Sequence, residues 1–457
     1  MLTELEWAHT NFSKCDLGDK RRTKRLIQMA SHLAGNVGRS IVKSSPQESD
    51  VEGSYRLIRN KNVDANAIAE GAFQASAEQA KSSQVLLALE DTTSLAYQHS
   101  VANELSYTSS AQSGSTKGFF VHSVMLFDPI QEATLGLIEQ RRWIRDESKF
   151  GKRKVRATTP YEEKESFKWQ QASENMHKRL GSEMAKCISV CDREADIIEY
   201  LDYKQQHGHR FVVRAKSNRP LSNDQRLYDY ASELAPAGTY QVAVAQKGGR
   251  KARQANMEVK FAQVEVKAPA RKQQQYQPIK AHVVLCNEIS ESESPLTWVL
   301  LTTEVLNSKE DALKIVKYYE ARWKIEEFHK VWKSEGTQVE NLRMQHADNL
   351  ERAAVILAFV AIRLYQLKEQ GDKSDAAQVS CETCLSTLQW KLLWKKRHKQ
   401  KALPKQPPSM KWAYQSLGRL GGWKDSKKTG RVSWRSLWDG WNKLESLVEG
   451  YQMFQEM

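Results

Sequence analysis

The sequence predicts an α/β protein: a mixed sheet with helices, carrying a β-rich insertion and flanked by a helical segment at each end. Three observations carry that prediction. Apolar strand-like runs alternate with helical stretches between about residues 83 and 216. A block at about 217–310 alternates apolar and polar residues with period two, and residues 1–65 and 369–457 show helical spacing.

In the N-terminal segment, Lys20–Ala34 is an amphipathic pattern that stops at Gly35-Asn36-Val37-Gly38. Ser45-Pro46-Gln47-Glu48 has the form of a capping box with proline at the first helical position, opening a helix toward Arg59. Two short helices, a glycine turn and a basic first helix have the form of a DNA-binding module. From about Ser83, Val85–Leu89 reads as a strand followed at once by Glu90-Asp91-Thr92-Thr93. Phe119–Phe127 and Ala133–Ile138 are strand-like runs close enough to pair as antiparallel neighbours. Glu162–Lys186 reads as a long helix, and Cys187–Cys191 as a strand followed at once by Asp192-Arg193-Glu194. Ile197–Lys204 is helical, and Phe211–Val213 is a strand leading into Arg214-Ala215-Lys216.

The β block contains Tyr240/Val242/Val244, Met257/Val259/Phe261, Val264/Val266, His282–Leu285 and Trp298–Leu301, with a basic turn at Gly248-Gly249. Helices resume at Asp311. Ala353–Ile362 is a ten-residue apolar run, half of the roughly 20 residues a membrane span needs, and reads as a buried helix. Lys401–Pro408 reads as a linker. Trp434, Leu437, Trp438, Trp441, Leu444, Val448 and Tyr451 recur at three- and four-residue spacing, which predicts a helix–helix contact within the chain or between subunits.

Composition narrows the classes. The chain has 457 residues, with 69 Lys and Arg against 55 Asp and Glu, a net +14 compatible with a polyanionic partner. The basic residues cluster at Lys20–Arg25, Lys149–Arg156, Lys247–Arg253 and Lys391–Lys401. There is no signal pattern at Met1–Lys14, no amphipathic anchor and no lipidation motif, so the expectation is a cytoplasmic protein with no membrane partner. Six cysteines are few for this length and fit a reducing compartment. Cys381-Glu-Thr-Cys384 has knuckle spacing, but no second ligand pair follows to complete a zinc site. A Gly-x-Ser-x-Gly elbow, a Walker loop and a His-Glu-x-x-His helix are all missing from the sequence.

The richest stretch is Tyr319–Lys333, a predicted helix without Gly or Pro. At 100° per residue, Tyr319, Arg322, Glu326 and Lys333 fall within an arc of roughly 60°. Tyr318, Ile325, Phe328 and Trp332 lie on the neighbouring stripe and can anchor the helix in a core. The polar stripe is either a salt-bridged solvated face, Arg322 pairing with Glu326, or a metal and phosphate site. Asp91 and Asp192, each placed after an apolar strand, add two hard oxygen donors, and three carboxylates from separate elements suit Mg²⁺. Asp91 is alternatively a turn cap aided by Thr92 and Thr93, and Glu194 and Glu327 are competing carboxylates. His122 and His329 read as structural or phosphate-adjacent, and Trp298 as core or stacking platform.

These residues resemble a known family. Tyr-x-x-Arg-x-x-x-Glu-x-x-x-x-x-x-Lys at 319–333 is similar to the signature of the bacterial DDE transposases of the IS-four superfamily. Leu89–Leu95, Val190–Ile197 and Arg322–Lys330 resemble that family's three acidic motifs, and Leu17–Leu26, Tyr55–Asn60, Phe211–Lys216 and Gly421–Trp441 add to the likeness. The resemblance implies a ribonuclease-H-like catalytic core at 66–368 with its β-rich insertion at about 217–310. A helical DNA-binding domain at 1–65 and a helical dimerisation domain at 369–457 complete it. It implies that Asp91, Asp192 and Glu326 are the catalytic metal ligands, holding two Mg²⁺ ions when DNA is bound, with Mn²⁺ an alternative. By the same resemblance, Tyr319, Arg322, Lys330 and Lys333 grip the transposon end and Trp298 receives a flipped base. Arg214 and Lys216 lie near the cut, and Arg21, Arg22 and Arg25 contribute to end recognition. The implied activity is cut-and-paste transposition through nicking, a hairpin, its resolution and strand transfer by the 3′-hydroxyl. The partners are double-stranded DNA, as transposon ends and target, and a second copy in the DNA complex. Two other readings are a non-catalytic inhibitor of transposition and a host nuclease on the same fold.

Overall fold

The computed structural model describes residues 3–108, 116–149, 159–244, 253–290, 295–426 and 430–457. The expected Gly248-Gly249 turn, and most of the basic runs Lys149–Arg156 and Lys247–Arg253, lie outside the described residues.

Five helices open the chain: α1 (Glu4–Phe12), α2 (Lys20–Gly35), α3 (Ile41–Ser44), α4 (Glu48–Arg59) and α5 (Ala65–Ala80). Asp19 caps α2 by accepting from the Arg21 amide, and Leu26, Met29 and Leu33 form its buried stripe. The helix toward Arg59 is present, but the capping box is not. Ser45 donates its hydroxyl to the Ile41 carbonyl at 2.9 Å and closes α3, while α4 begins at Gln47 without a side-chain cap.

The sheet follows from strands apolar on both faces. In β1 (Leu86–Tyr97), Leu87 and Leu89 join one core while Leu86 and Ala88 join another. β2 (Ser106–Tyr107), β3 (Lys117–Asp128) and β4 (Ala133–Trp143) complete its antiparallel side. After α6 (Lys168–Leu180) comes β5 (Cys187–Cys191), parallel to β1; after α7 (Ile198–Gln206) comes β6 (Arg210–Arg214), parallel to β5. The order β4-β3-β1-β5-β6, antiparallel then parallel, is consistent with a ribonuclease-H-like core. The long helix expected over Glu162–Lys186 is shorter. Gly181 at φ +54 ends it, and 3₁₀ turns occupy both flanks.

The insertion holds α8 (Leu227–Glu233), β7 (Gly238–Val244), β8 (Arg253–Val266), β9 (Ile279–Glu288) and β10 (Thr297–Thr302). It is no separate sheet. β10 pairs antiparallel with β6, so β9, β8 and β7 prolong the core sheet across its edge.

The predicted helix over Tyr319–Lys333 is divided. α9 (Lys309–Ala321) ends in i→i+3 bonds at Arg322, α10 (Trp323–Lys330) continues, and a π-helical turn spans Val331–Glu335. Its apolar stripe is as expected: Tyr318, Ile325, Phe328 and Trp332 are buried. α11 (Ala347–Asp372) buries Ala353–Ile362 on every side, which is why the run has no polar face. Among the described residues no helix is long and apolar enough to cross a membrane. α12 (Thr387–His398), α13 (Met410–Leu420) and α14 (Trp434–Glu456) finish the chain, with Lys401–Pro408 as the expected loop. Trp434, Leu437, Trp438, Trp441 and Leu444 pack within the chain, leaving Met453, Phe454 and Met457 exposed. All six cysteines are free thiols. One apolar cluster runs from Trp7 through Leu89 and Phe359 to Trp441, joining all three segments.

Candidate active site and nucleic-acid interface

Strand register builds the site. Leu89 pairs with Val190, and Val190 with Val212. Carried two residues on, that register brings Asp91 on β1, Asp192 just past the end of β5 and Arg214 on β6 level with one another. Asp192 follows the end of β5, as expected. Asp91 does not follow a strand end: β1 continues through it to Tyr97, paired with β3. What ends at Leu89 is the parallel pairing with β5, and this opens the cleft beside Asp91. The alternation that puts Leu87, Leu89, Val190 and Val212 into one core face puts Asp91 and Asp192 on the same face, beneath α10.

α10 supplies Glu326, held there by buried Ile325 and Phe328. Arg322 lies between the carboxylates. Its guanidinium pairs with Glu326 and stands 3.5 Å from Asp91, with Nη1 buried and lacking a hydrogen-bond partner. His329 Nδ1 is 3.4 Å from the other Asp91 oxygen. Burial opposes ionisation of Asp91, but His329, Arg322 and His122 together hold its carboxyl below the usual range. Asp192 goes the other way: burial, with the charges of Glu194 and Asp91, raises it despite the Glu194 amide at 2.8 Å. The set thus holds one carboxyl whose charged form its neighbours favour and one whose ionisation a cation would favour. Three hard oxygen donors on separate elements fit Mg²⁺ by chemistry. As the side chains stand, no three such ligands converge on one point among the described residues, and Arg322 fills the gap.

Glu327 is turned away, accepting from the Tyr365 hydroxyl at 3.2 Å, and Glu194 pairs with Lys168 at 3.2 Å. Glu326 is therefore the carboxylate beside Asp91. His329, read from the sequence as structural or phosphate-adjacent, stands instead beside the Asp91 carboxylate; its spacing of three from Glu326 was the available signal. On the opposite sheet face, fully buried Glu90 lies 3.4 Å from His122, which shares a 3.0 Å hydrogen bond with Thr92.

The other expected residues fall in two places. Trp298 on β10 is half-buried, edge-on to Tyr319 with centroids 5.6 Å apart. Arg214 donates to the Thr297 carbonyl at 3.0 Å, beside Trp298. The Lys216 amide donates to Asp196 at 2.7 Å, and its side chain is exposed. Lys330 is exposed, and Lys333 is 3.5 Å from Glu340. In α2, Arg21 is exposed and pairs with Asp19, Arg22 donates to the Leu17 carbonyl at 2.8 Å, and Arg25 pairs with Asp50 at 2.8 Å, tying α2 to α4.

A sheet of this order, with carboxylates where its parallel pairing stops and a basic helical segment before it, has the form of a nucleic-acid-processing protein. Comparison with known families makes this specific. Residues 4–63 match the family model "Transposase DNA-binding", and residues 155–363 match "Transposase DDE domain". The chain thus carries a transposase DNA-binding domain followed by a DDE domain, which support a DDE transposase with DNA as its partner. Asp192 and Glu326 lie inside the second span and Asp91 before it, so the position of Asp91 rests on the strand register.

Proposed function

We propose that the chain is a cut-and-paste transposase of the IS-four superfamily, similar to the Tn-five transposase. It would excise a mobile DNA segment at its ends and join it to target DNA, acting as a homodimer on DNA in the bacterial cytoplasm. The observation that carries this reading is the level placement of Asp91 and Asp192 beneath Glu326, bridged by Arg322. Asp91, Asp192 and Glu326 would hold the divalent ions. When bound, Mg²⁺ or Mn²⁺ supplies activation of the attacking oxygen and stabilisation of the leaving one.

The chain's own residues do the rest. Arg322 would move from Glu326 to a phosphate, freeing the carboxylate and placing a guanidinium fork on the backbone. Lys330 and Lys333 extend that grip along α10 and the π turn. Trp298, steadied edge-on by Tyr319, offers a face to an unstacked base, and Arg214 lies beside it. Nicking, hairpin formation, hairpin opening and strand transfer are all phosphodiester displacements, so one carboxylate set serves each.

The test uses the inverted sequences flanking the gene, placed on a linear duplex with Mg²⁺ and a supercoiled target. Hairpin ends and joined products are expected, with Asp91→Asn binding the ends but yielding neither. Cutting without joining would convert the reading to a nuclease. Binding with no cutting by the wild-type chain would convert it to an inhibitor.

A further inference from the structure

The basic run Lys391–Lys401 lies outside both matched family spans, and the candidate site does not use it. Residues 387–420 contain nine Lys and Arg and no Asp or Glu. Lys391, Lys395, Lys396, Lys399 and Lys401 are all exposed; Lys391 has Glu382 near enough for its charge to be felt there. The C-terminal end of α12 favours some positive charge through its dipole, but one or two cations satisfy that. The excess is unbalanced. Arg397 has a buried Nε without a hydrogen-bond partner, and burial together with the neighbouring Arg419 disfavours its charge.

These cations are arrayed on a rigid support. Trp394, His398 and Trp412 form an aromatic stack, with centroids 4.1 Å apart for Trp394–His398 and 5.4 Å for Trp394–Trp412. Trp394 Nε1 donates to the Ala402 carbonyl at 3.0 Å, and Lys395 Nζ to the Lys401 carbonyl at 3.2 Å. The loop after α12 is thereby folded back against the helix, so Lys399 and Lys401 lie beside the lysines of its last turn.

We propose that these lysines form a second, sequence-independent binding surface for the phosphate backbone of duplex DNA. The proposal rests on the reading of the chain as a DNA-acting protein and adds a contact region to it. A protein partner is disfavoured because such interfaces bury an apolar centre, and Leu403 is the one large apolar side chain exposed in residues 387–420. A phosphate backbone needs no such centre, only a file of cations.

The experiment uses the full chain with a short mixed-sequence duplex that carries no transposon end. Lysine acylation with and without DNA is read by mass spectrometry, and affinity is measured against salt. Lys395, Lys396, Lys399 and Lys401 are expected to become protected. Changing all four to Gln should flatten the slope of log affinity against log salt by up to about 0.9 for each phosphate that is no longer neutralised. Changing all four to Arg should retain the slope. These side chains are exposed, so a thermal melt should show both variants folded. If the four lysines stay reactive while Lys20 and Lys24 become protected, the proposal fails and the DNA-binding reading stands. If no lysine is protected, both fail. Protection that depends on protein concentration alone assigns the surface to a second copy and overturns the proposal.

Discussion

Arg322 sets the charge of the candidate site, because it is the cation that Asp91 and Glu326 share. Asp91→Asn should abolish strand cleavage, by well over the 10–100-fold typical of losing an outer partner of a metal ligand, while DNA binding on a filter assay stays near wild type. His329→Gln should lower cleavage by about that 10–100-fold, acting through the orientation of Asp91. It should also alter acid tolerance. A carboxyl depressed in the folded state contributes stability present above its unfolded value, near 3.8, and lost as pH falls through its folded value. Removing His329 shrinks that depression, so the acid-unfolding midpoint followed by circular dichroism should move to higher pH. Much of this was legible in the sequence: Asp91, Asp192 and Glu326 stood out as carboxylates beside apolar patterns. That β1 runs on through Asp91 to Tyr97 was not legible, since the apolar run that marked the strand stops at Leu89 and the rest is held by pairing with β3. The break at Arg322 was not legible either, because a tertiary contact with Asp91 accompanies it and no local propensity marks it.

Between elements, α13 and α14 approach backbone to backbone. A Cβ at Gly421 would lie 1.8 Å from the Ser436 carbonyl oxygen, and one at Gly440 would lie 1.9 Å from that of Leu417. The two glycines thus let each backbone seat on the other. Gly440→Ala should cost about 1–3 kcal/mol by overpacking, read as a lower melting temperature together with altered tryptophan fluorescence from Trp438 and Trp441. Near the same layer, Glu445 on α14 accepts from Gln389 at 2.6 Å, and burial with the charges of Glu4 and Glu449 pushes it up to about 7. Its contribution to stability is fully present below the unfolded value near 4.5, declines as pH rises, and is gone above about 7. Glu445→Gln should therefore raise the melting temperature at pH 8 relative to wild type and change it little at pH 5. Sequence pattern found these helices from their apolar spacing. It could not find the continuation of the sheet through β10, since that pairing joins strands far apart in the chain. It also misassigned Ser45, whose hydroxyl completes the turn before it rather than the helix after it.

Across the whole molecule, α11 is the element on which the other segments close. Arg352, buried on it, donates to the Ile58 carbonyl at 3.0 Å and also to that of Val63. Arg363 pairs with Glu4 at 3.1 Å, and Phe359 packs edge-on to Phe12. Arg352→Ala would leave those two carbonyls without partners, at about 1–3 kcal/mol each, and limited proteolysis should then release the N-terminal helices first. The N-terminal helices, the basic segment and the carboxylates were each visible in the sequence, but their shared core was not, because helical periodicity says which face is buried and never against what. That shared core bears on biosynthesis. When Asp91 and Asp192 have emerged from the ribosome, Glu326 is still unmade, and the N-terminal helices lack the arginine that fastens them until α11 follows. A growing chain therefore cannot bring the proposed carboxylate set together until α10 has been made, nor fasten its N-terminal helices until α11 has followed.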